Sequence, residues 1–328
     1  MGVFMNVVKR IPIGIAGLAL ALASLGNNLW FALGDFGFVA TVVRVVCGFL
    51  ATGILIALIT RMFIDKDAVI DDYRNVAVWT VTPTIFMATE VLSTYLEPYL
   101  GIGATFLWAL ALTLQLMWVG AFFWRYVIHF DINNVLPSWL IVFVGYVVGT
   151  TTSITFDAPF IGLPLLVSGL VCYVLISPVI MYRFFIVGNI EDDLQPLAGI
   201  ILAPANLCMV GYLALVGIGY LEPMWWLIKV LLACSATSFV FYLLYCVPRM
   251  FRPFCPTFSG FTFPIVITSV AITQLSHLLI PQLTLLARVL QIMATVVVVY
   301  VFVRYMIYLF APDAQQINCE IARRDLDS

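Results

Sequence analysis

Ten stretches of this chain are long and apolar enough to cross a bilayer as helix, and that leaves few folds open to it. The stretches run roughly over 11–33, 76–96, 136–153, 196–218 and 258–275, interleaved with 38–64, 101–127, 160–187, 224–251 and 281–310. A hydrocarbon core of about 30 Å takes roughly 20 residues of helix, and without water every backbone N–H and C=O must be satisfied internally. The expectation is an all-α integral membrane protein, with residues 1–328 forming a single transmembrane domain. A composition of 63% hydrophobic and 10% charged residues, with mean hydropathy +1.10, lies far from that of soluble domains. The bilayer is therefore an expected partner and nucleic acid is not. Lys9 and Arg10 begin the chain like a signal peptide, but the apolar run continues through Asn27, Asn28 and Trp30 to Leu33. That is too long for a cleaved segment and long enough to span.

The connections after the odd-numbered stretches carry Asp35, Glu97, Asp157, Glu222 and His277, with no lysine or arginine. Lys9, Arg10, Arg61, Lys66, Arg74, Arg125, Arg183, Arg249, Arg252, Arg304, Arg323 and Arg324 all fall on the other side. The positive-inside rule then predicts both termini in the cytoplasm of a cell whose inner (plasma) membrane holds the protein, in keeping with an even number of crossings.

The even stretches end alike, in ITRMF at Arg61, FWRYV at Arg125, MYRFF at Arg183, VPRMF at Arg249 and FVRYM at Arg304. Each odd stretch has a proline in its cytoplasmic half: Pro12, Pro83, Pro137, Pro204 and Pro264. From proline to the next arginine is 49, 42, 46, 45 and 40 residues, as if one helical hairpin were used five times. Any single arginine reads as an interfacial anchor and any single proline as a kink, but five in phase imply parallel repeats about an axis along the membrane normal. Five hairpins around an axis leave a pore at the centre, with quasi-five-fold symmetry.

Small and polar residues collect on the odd stretches: Gly14, Gly17 and Ser24, then Thr80, Thr82 and Thr84, then Gly145, Gly149 and Thr150 to Ser153, then Asn206 and Gly211, with Thr268 on the ninth. The odd helices are therefore assigned to an inner ring and the bulkier even ones to an outer ring facing lipid. Gly145 and Gly149, four apart, would permit close helix approach. Three basic residues, Arg44, Lys229 and Arg288, fall inside even stretches near their outer ends. Charges at membrane depth are by default functional candidates, and these would make an outer vestibule electropositive and attract anions. For Arg44 an ion pair with Glu90, at matching depth on the neighbouring stretch, is the expected arrangement. The seven cysteines, among them Cys47, Cys208 and Cys319, include no C-x-x-C pair and read as small buried hydrophobes, so no metal and no cofactor is expected. His129 and His277 read as solvated.

PIGIAGLALALASLG from Pro12, LPSWLIVFVG from Leu136, ILAPANLCMVGYLAL from Ile201 and FTFPIVITS from Phe261 resemble the tellurite-resistance and dicarboxylate transporter family. Bacterial TehA and the slow-type anion channels of plant guard cells belong to it. The resemblance implies a homotrimer, each protomer enclosing its own anion-conducting pore, blocked midway by a phenylalanine on the ninth helix. Phe263 matches that gate, with Phe261 the alternative. Pro264 follows the gate where some bacterial members have glycine.

No lysine or arginine lies in the odd stretches, so a permeating ion would meet hydroxyls, carbonyls freed by prolines and apolar walls. Weak binding of that kind suits conduction of small monovalent anions such as chloride and nitrate. A proton-coupled carrier of C4-dicarboxylates of the malate type, or another anion exporter with a tellurite-resistance role, is the competing reading, and Glu90 would be its protonatable group. No H-E-x-x-H, G-x-S-x-G or paired intramembrane aspartate supports an enzyme.

Overall fold

The computed structural model describes residues 7–188 and 190–310; Cys319, Arg323 and Arg324 lie outside them, as does the side chain of Asp35. Ten helices have membrane length: span 1 (Ile13–Ala32), span 2 (Gly37–Ile64), span 3 (Val76–Leu100), span 4 (Ile102–Val127) and span 5 (Trp139–Phe156), then span 6 (Pro159–Val187), span 7 (Asp192–Gly217), span 8 (Trp225–Arg249), span 9 (Pro256–Leu278) and span 10 (Pro281–Phe310). Among the described residues there is no strand, and the molecule is an all-α multi-pass membrane protein.

Burial divides the spans into two sets. In their most apolar windows the odd spans are 67–94% buried, whereas the even spans are 22–39% buried. Exposed Phe49, Phe106, Val174, Leu244 and Ile292 stud the even spans, an apolar surface that lipid tails accept without cost. Span 1 packs against spans 3 and 9, span 3 against span 5, span 5 against span 7, and span 7 against span 9, so the buried set closes on itself. Each even span rests on the odd span before it, and spans 2, 4, 6 and 10 also touch the next odd span around.

Close approach is built into the backbone at two places. A Cβ on Gly199 would stand 2.5 Å from the carbonyl oxygen of Gly260, and one on Gly260 would stand 2.8 Å from that of Pro196, so only glycine lets spans 7 and 9 touch there. Gly145 and Gly149 admit Met87 and Leu112 in the same way, at 2.9 and 3.0 Å from a built Cβ.

The odd spans are not α-helical throughout. Tighter 3₁₀ turns occupy Ile13–Ile15, Asp192–Leu202 and Pro256–Phe261, and α-helix follows from Ala16, Ala203 and Thr262. Pro204 and Pro264 sit in the first turn of those α-helices, and Pro83 opens Pro83–Leu100, positions where the missing N–H costs least. Two prolines expected inside helices lie ahead of them instead. Pro12 is extended (φ −77, ψ 148) before Ile13, and Pro137 sits in the turn before Trp139, so span 5 starts later than 136. In both places proline fixes the entry of the chain without removing a helical hydrogen bond.

Two of the carbonyls that proline leaves without their helical bond are taken up by side chains from a neighbouring span. Pro83 leaves the carbonyl of Trp79, which accepts from Trp118 Nε1 at 3.0 Å. Pro98 leaves that of Thr94, which accepts from Arg44 Nη2 at 3.3 Å. With this carbonyl satisfied, span 3 continues past 96 to Leu100 and carries Glu97 within its last turn. His277 likewise lies in the last turn of span 9, its ring edge-on to Phe31 at 5.0 Å, rather than in a loop.

Candidate functional site

All five odd spans contribute to a small cavity of about 40 Å³ inside the closed set, through Leu20, Met87, Val144, Leu207 and Phe263 among others. No charged side chain lines it; Thr84 and Ser259 supply its hydroxyls. This neck separates two larger cavities. On the far side Ser24, Val91, Val210 and Ile267 line a vestibule of about 430 Å³. Each stands three or four residues beyond a neck residue of its own span, one helical turn or about 5.4 Å further. On the side where the N-terminus enters, a vestibule of about 410 Å³ shares Gly14 and Val81 with the neck. Pro12, Asn75, Asp193 and Pro256, at the starts of spans 1, 3, 7 and 9, all line this second vestibule, so these spans run in one direction.

Phe263, 8% exposed, lines the neck on the first α-helical turn of span 9, beside Pro264. Phe261 is a packed core ring and lines none of these cavities. It is fully buried, edge-on to Phe258 at 5.5 Å, and its carbonyl accepts from the Tyr242 hydroxyl at 2.7 Å. The turn carrying Phe263 is held from behind. Thr268 donates to the carbonyl of Pro264 at 2.7 Å and accepts from Asn206 Nδ2 at 2.9 Å, while Ser235 donates to Asn206 Oδ1 at 2.7 Å. Spans 7, 8 and 9 are thereby joined at the depth of the neck.

Of the remaining sequence candidates, Ser24 lines the far vestibule, Pro12 the near one, and Pro204 and Pro264 the neck. Thr268 faces Asn206, and Thr82 bonds back to the carbonyl of Val78 at 2.7 Å. Pro83 and Pro137 mark helix starts only. The cavity walls thus take fewer hydroxyls and freed carbonyls than the sequence promised, because local and inter-span bonds use them.

Arg44 lines the far vestibule, but the expected ion pair with Glu90 is absent: among the described residues Arg61–Asp72, Arg74–Asp71 and Arg252–Asp192 are the ion pairs. Arg44 Nε donates instead to Asn27 Oδ1 at 2.9 Å, and its guanidinium lies 4.6 Å from the ring centroids of both Trp30 and Tyr95. Glu90 is fully buried among spans 3, 4 and 5, with Oε1 at 2.5 Å from the Gln115 side-chain amide and Oε2 without a hydrogen-bond partner. The pairing fails on depth, because span 3 extends to Leu100 and places Glu90 further from the far face than Arg44. Arg288 donates to the carbonyl of Ala32 at 2.9 Å, closing the end of span 1, and exposed Lys229 lines neither vestibule.

Of the amides in the apolar stretches, only Asn206 is singled out from sequence. Asn27, Asn28, Gln115, Asn206, Gln274 and Gln291 all lie in apolar stretches, where a side-chain amide needs a partner on another span. Asn28 donates to Ser269 Oγ at 2.9 Å and Gln291 to Thr273 Oγ1 at 2.9 Å; an inventory of amides within the stretches would have flagged these positions, though not their partners.

A closed set of buried helices, an uncharged neck and a polar vestibule on each side define a membrane channel or transporter. Residues 9–306 match the voltage-dependent anion channel family, and the chain belongs to that family. Its substrates are accordingly anions. No curated protein matches the chain.

Proposed function

We propose that the protein is a TehA-type anion channel, weakly selective for small monovalent anions, with Phe263 as its gate. The observation that carries this reading is the place of Phe263 in the 40 Å³ neck between two vestibules about ten times larger. A ring across a narrow apolar pore blocks sterically and by dewetting, and its removal leaves a wettable path. The uncharged neck gives an anion no deep well, so selectivity follows how easily each anion sheds water. On this reading the five hairpins stand in quasi-five-fold order, odd helices inside and even helices outside, and the apolar flanks of the even helices serve lipid and a homotrimer. On the same reading both termini lie in the cytoplasm and the protein in the inner (plasma) membrane; the arginine bias supports the orientation.

The test is planar-bilayer current in chloride, nitrate and malate for wild type and Phe263→Ala. A channel gated by this ring gives little current in wild type and at least tenfold more in the variant, with nitrate and chloride favoured over malate. Equal currents in the two proteins remove Phe263 from the gate. A second reading, a proton-coupled dicarboxylate carrier, draws on the buried Glu90 with its free Oε2. It requires saturable, acid-driven malate uptake into vesicles that Glu90→Gln abolishes.

A further inference from the structure

We infer that the N-terminal-side vestibule contains a binding site for a small anion at Arg61, with Asp72 as the counter-ion that the anion displaces. This rests on the channel reading for its purpose but not for its chemistry. Arg61 ends span 2 only 6% exposed and lines the 410 Å³ vestibule together with Asp72. Its Nη2 meets Asp72 Oδ2 at 2.7 Å, but Nε and Nη1 are buried with no hydrogen-bond partner. Three of the five guanidinium N–H groups reside on those two atoms. A buried cation with most of its donors unused is costly unless something else accepts from them.

The surroundings favour an anion as that acceptor. Lys9 and Arg10 are exposed on the same vestibule, and against these three cations stand Asp72 and Asp193. Tyr308, Asn75 and Thr257 add polar side chains to the wall. Asp72 belongs to the short helix Lys66–Asp72, which follows span 2 after the one-residue break at Asp65, and its side chain is 35% exposed. It is placed to leave Arg61 without unfolding a span. Gly14 and Val81 line both this vestibule and the neck, so an anion released from Arg61 is already at the neck's entrance. Chloride or nitrate is the chemical class that fits: small, singly charged and able to accept several N–H bonds at once.

The test is the thermal unfolding midpoint of the full chain in lipid-free maltoside micelles, titrated with sodium nitrate or sodium chloride at ionic strength held constant with gluconate. A ligand that binds the folded state alone raises the midpoint saturably. Wild type should show that rise. Asp72→Asn should reach half-saturation at about tenfold lower nitrate, Arg61→Gln should lose the rise, Arg61→Lys should keep part of it, and Lys229→Gln, at an exposed cation that lines neither vestibule, should titrate like wild type. An equal rise in Arg61→Gln, or a half-saturation unmoved in Asp72→Asn, overturns the site. If Arg61→Gln does not fold, the Asp72→Asn titration decides alone. Absence of any rise while Phe263→Ala conducts removes the site and leaves the channel reading standing; a rise that needs Arg61 in a protein that never conducts does the reverse. A rise seen only when anionic lipid is added means a headgroup receptor and also overturns the proposal.

Discussion

Asn206 shows how much one amide carries in an apolar wall. Its oxygen and nitrogen bind Ser235 and Thr268, and Thr268 in turn holds the carbonyl of Pro264 beside Phe263. Asn206→Leu removes both partners at once, and each buried polar group left unpaired costs about 1–3 kcal/mol. The expected outcome is a lower unfolding midpoint together with a standing anion leak, read as chloride current in otherwise wild-type protein; a lower midpoint without leak means that Asn206 only holds the spans together. Arg44 makes a different prediction. Arg44→Gln takes a charge from the far vestibule, so in the Phe263→Ala background it should reduce chloride current at low salt and much less at high salt, where screening already acts. Serine, arginine and proline positions along the walls could be read from residue type, since each is unusual in an apolar stretch. The partner of Glu90 could not. It depends on the rotation of spans 3, 4 and 5 about their own axes, and stretches apolar on every face do not encode that rotation.

The spans themselves were legible because length and hydropathy are one-dimensional properties, whereas their ends were set by contacts. Span 3 outlasts its apolar run because Arg44 satisfies the carbonyl that Pro98 leaves, and span 5 starts late because Pro137 and Ser138 form a turn. The division into buried and exposed spans likewise follows from packing, most sharply where spans 7 and 9 meet through Gly199 and Gly260. Gly199→Ala sets a methyl 2.5 Å from a backbone oxygen that cannot rotate away, so it should destabilise the protein by about 1–3 kcal/mol. Gly53→Ala, in the middle of span 2 with nothing within 4 Å, should be neutral or mildly stabilising. Unfolding midpoints of the two variants in detergent check the pair, and similar midpoints would contradict the close approach.

Taken as a body, the molecule has two unlike ends. The near vestibule carries Lys9, Arg10 and Arg61 against Asp72 and Asp193 and receives the starts of spans 1, 3, 7 and 9, while the far one is lined by the later turns of the odd spans and carries Arg44 against Glu97. Each helix start carries the equivalent of roughly half a positive charge, and each helix end the opposite. Because the buried spans run in one direction, these partial charges do not cancel around the neck. On the channel reading this asymmetry predicts rectification even between identical solutions. In symmetrical chloride, Phe263→Ala should pass more current when the voltage drives anions in from the N-terminal side than at the equal and opposite voltage, and a straight current–voltage line would mean that backbone polarity plays no part in permeation.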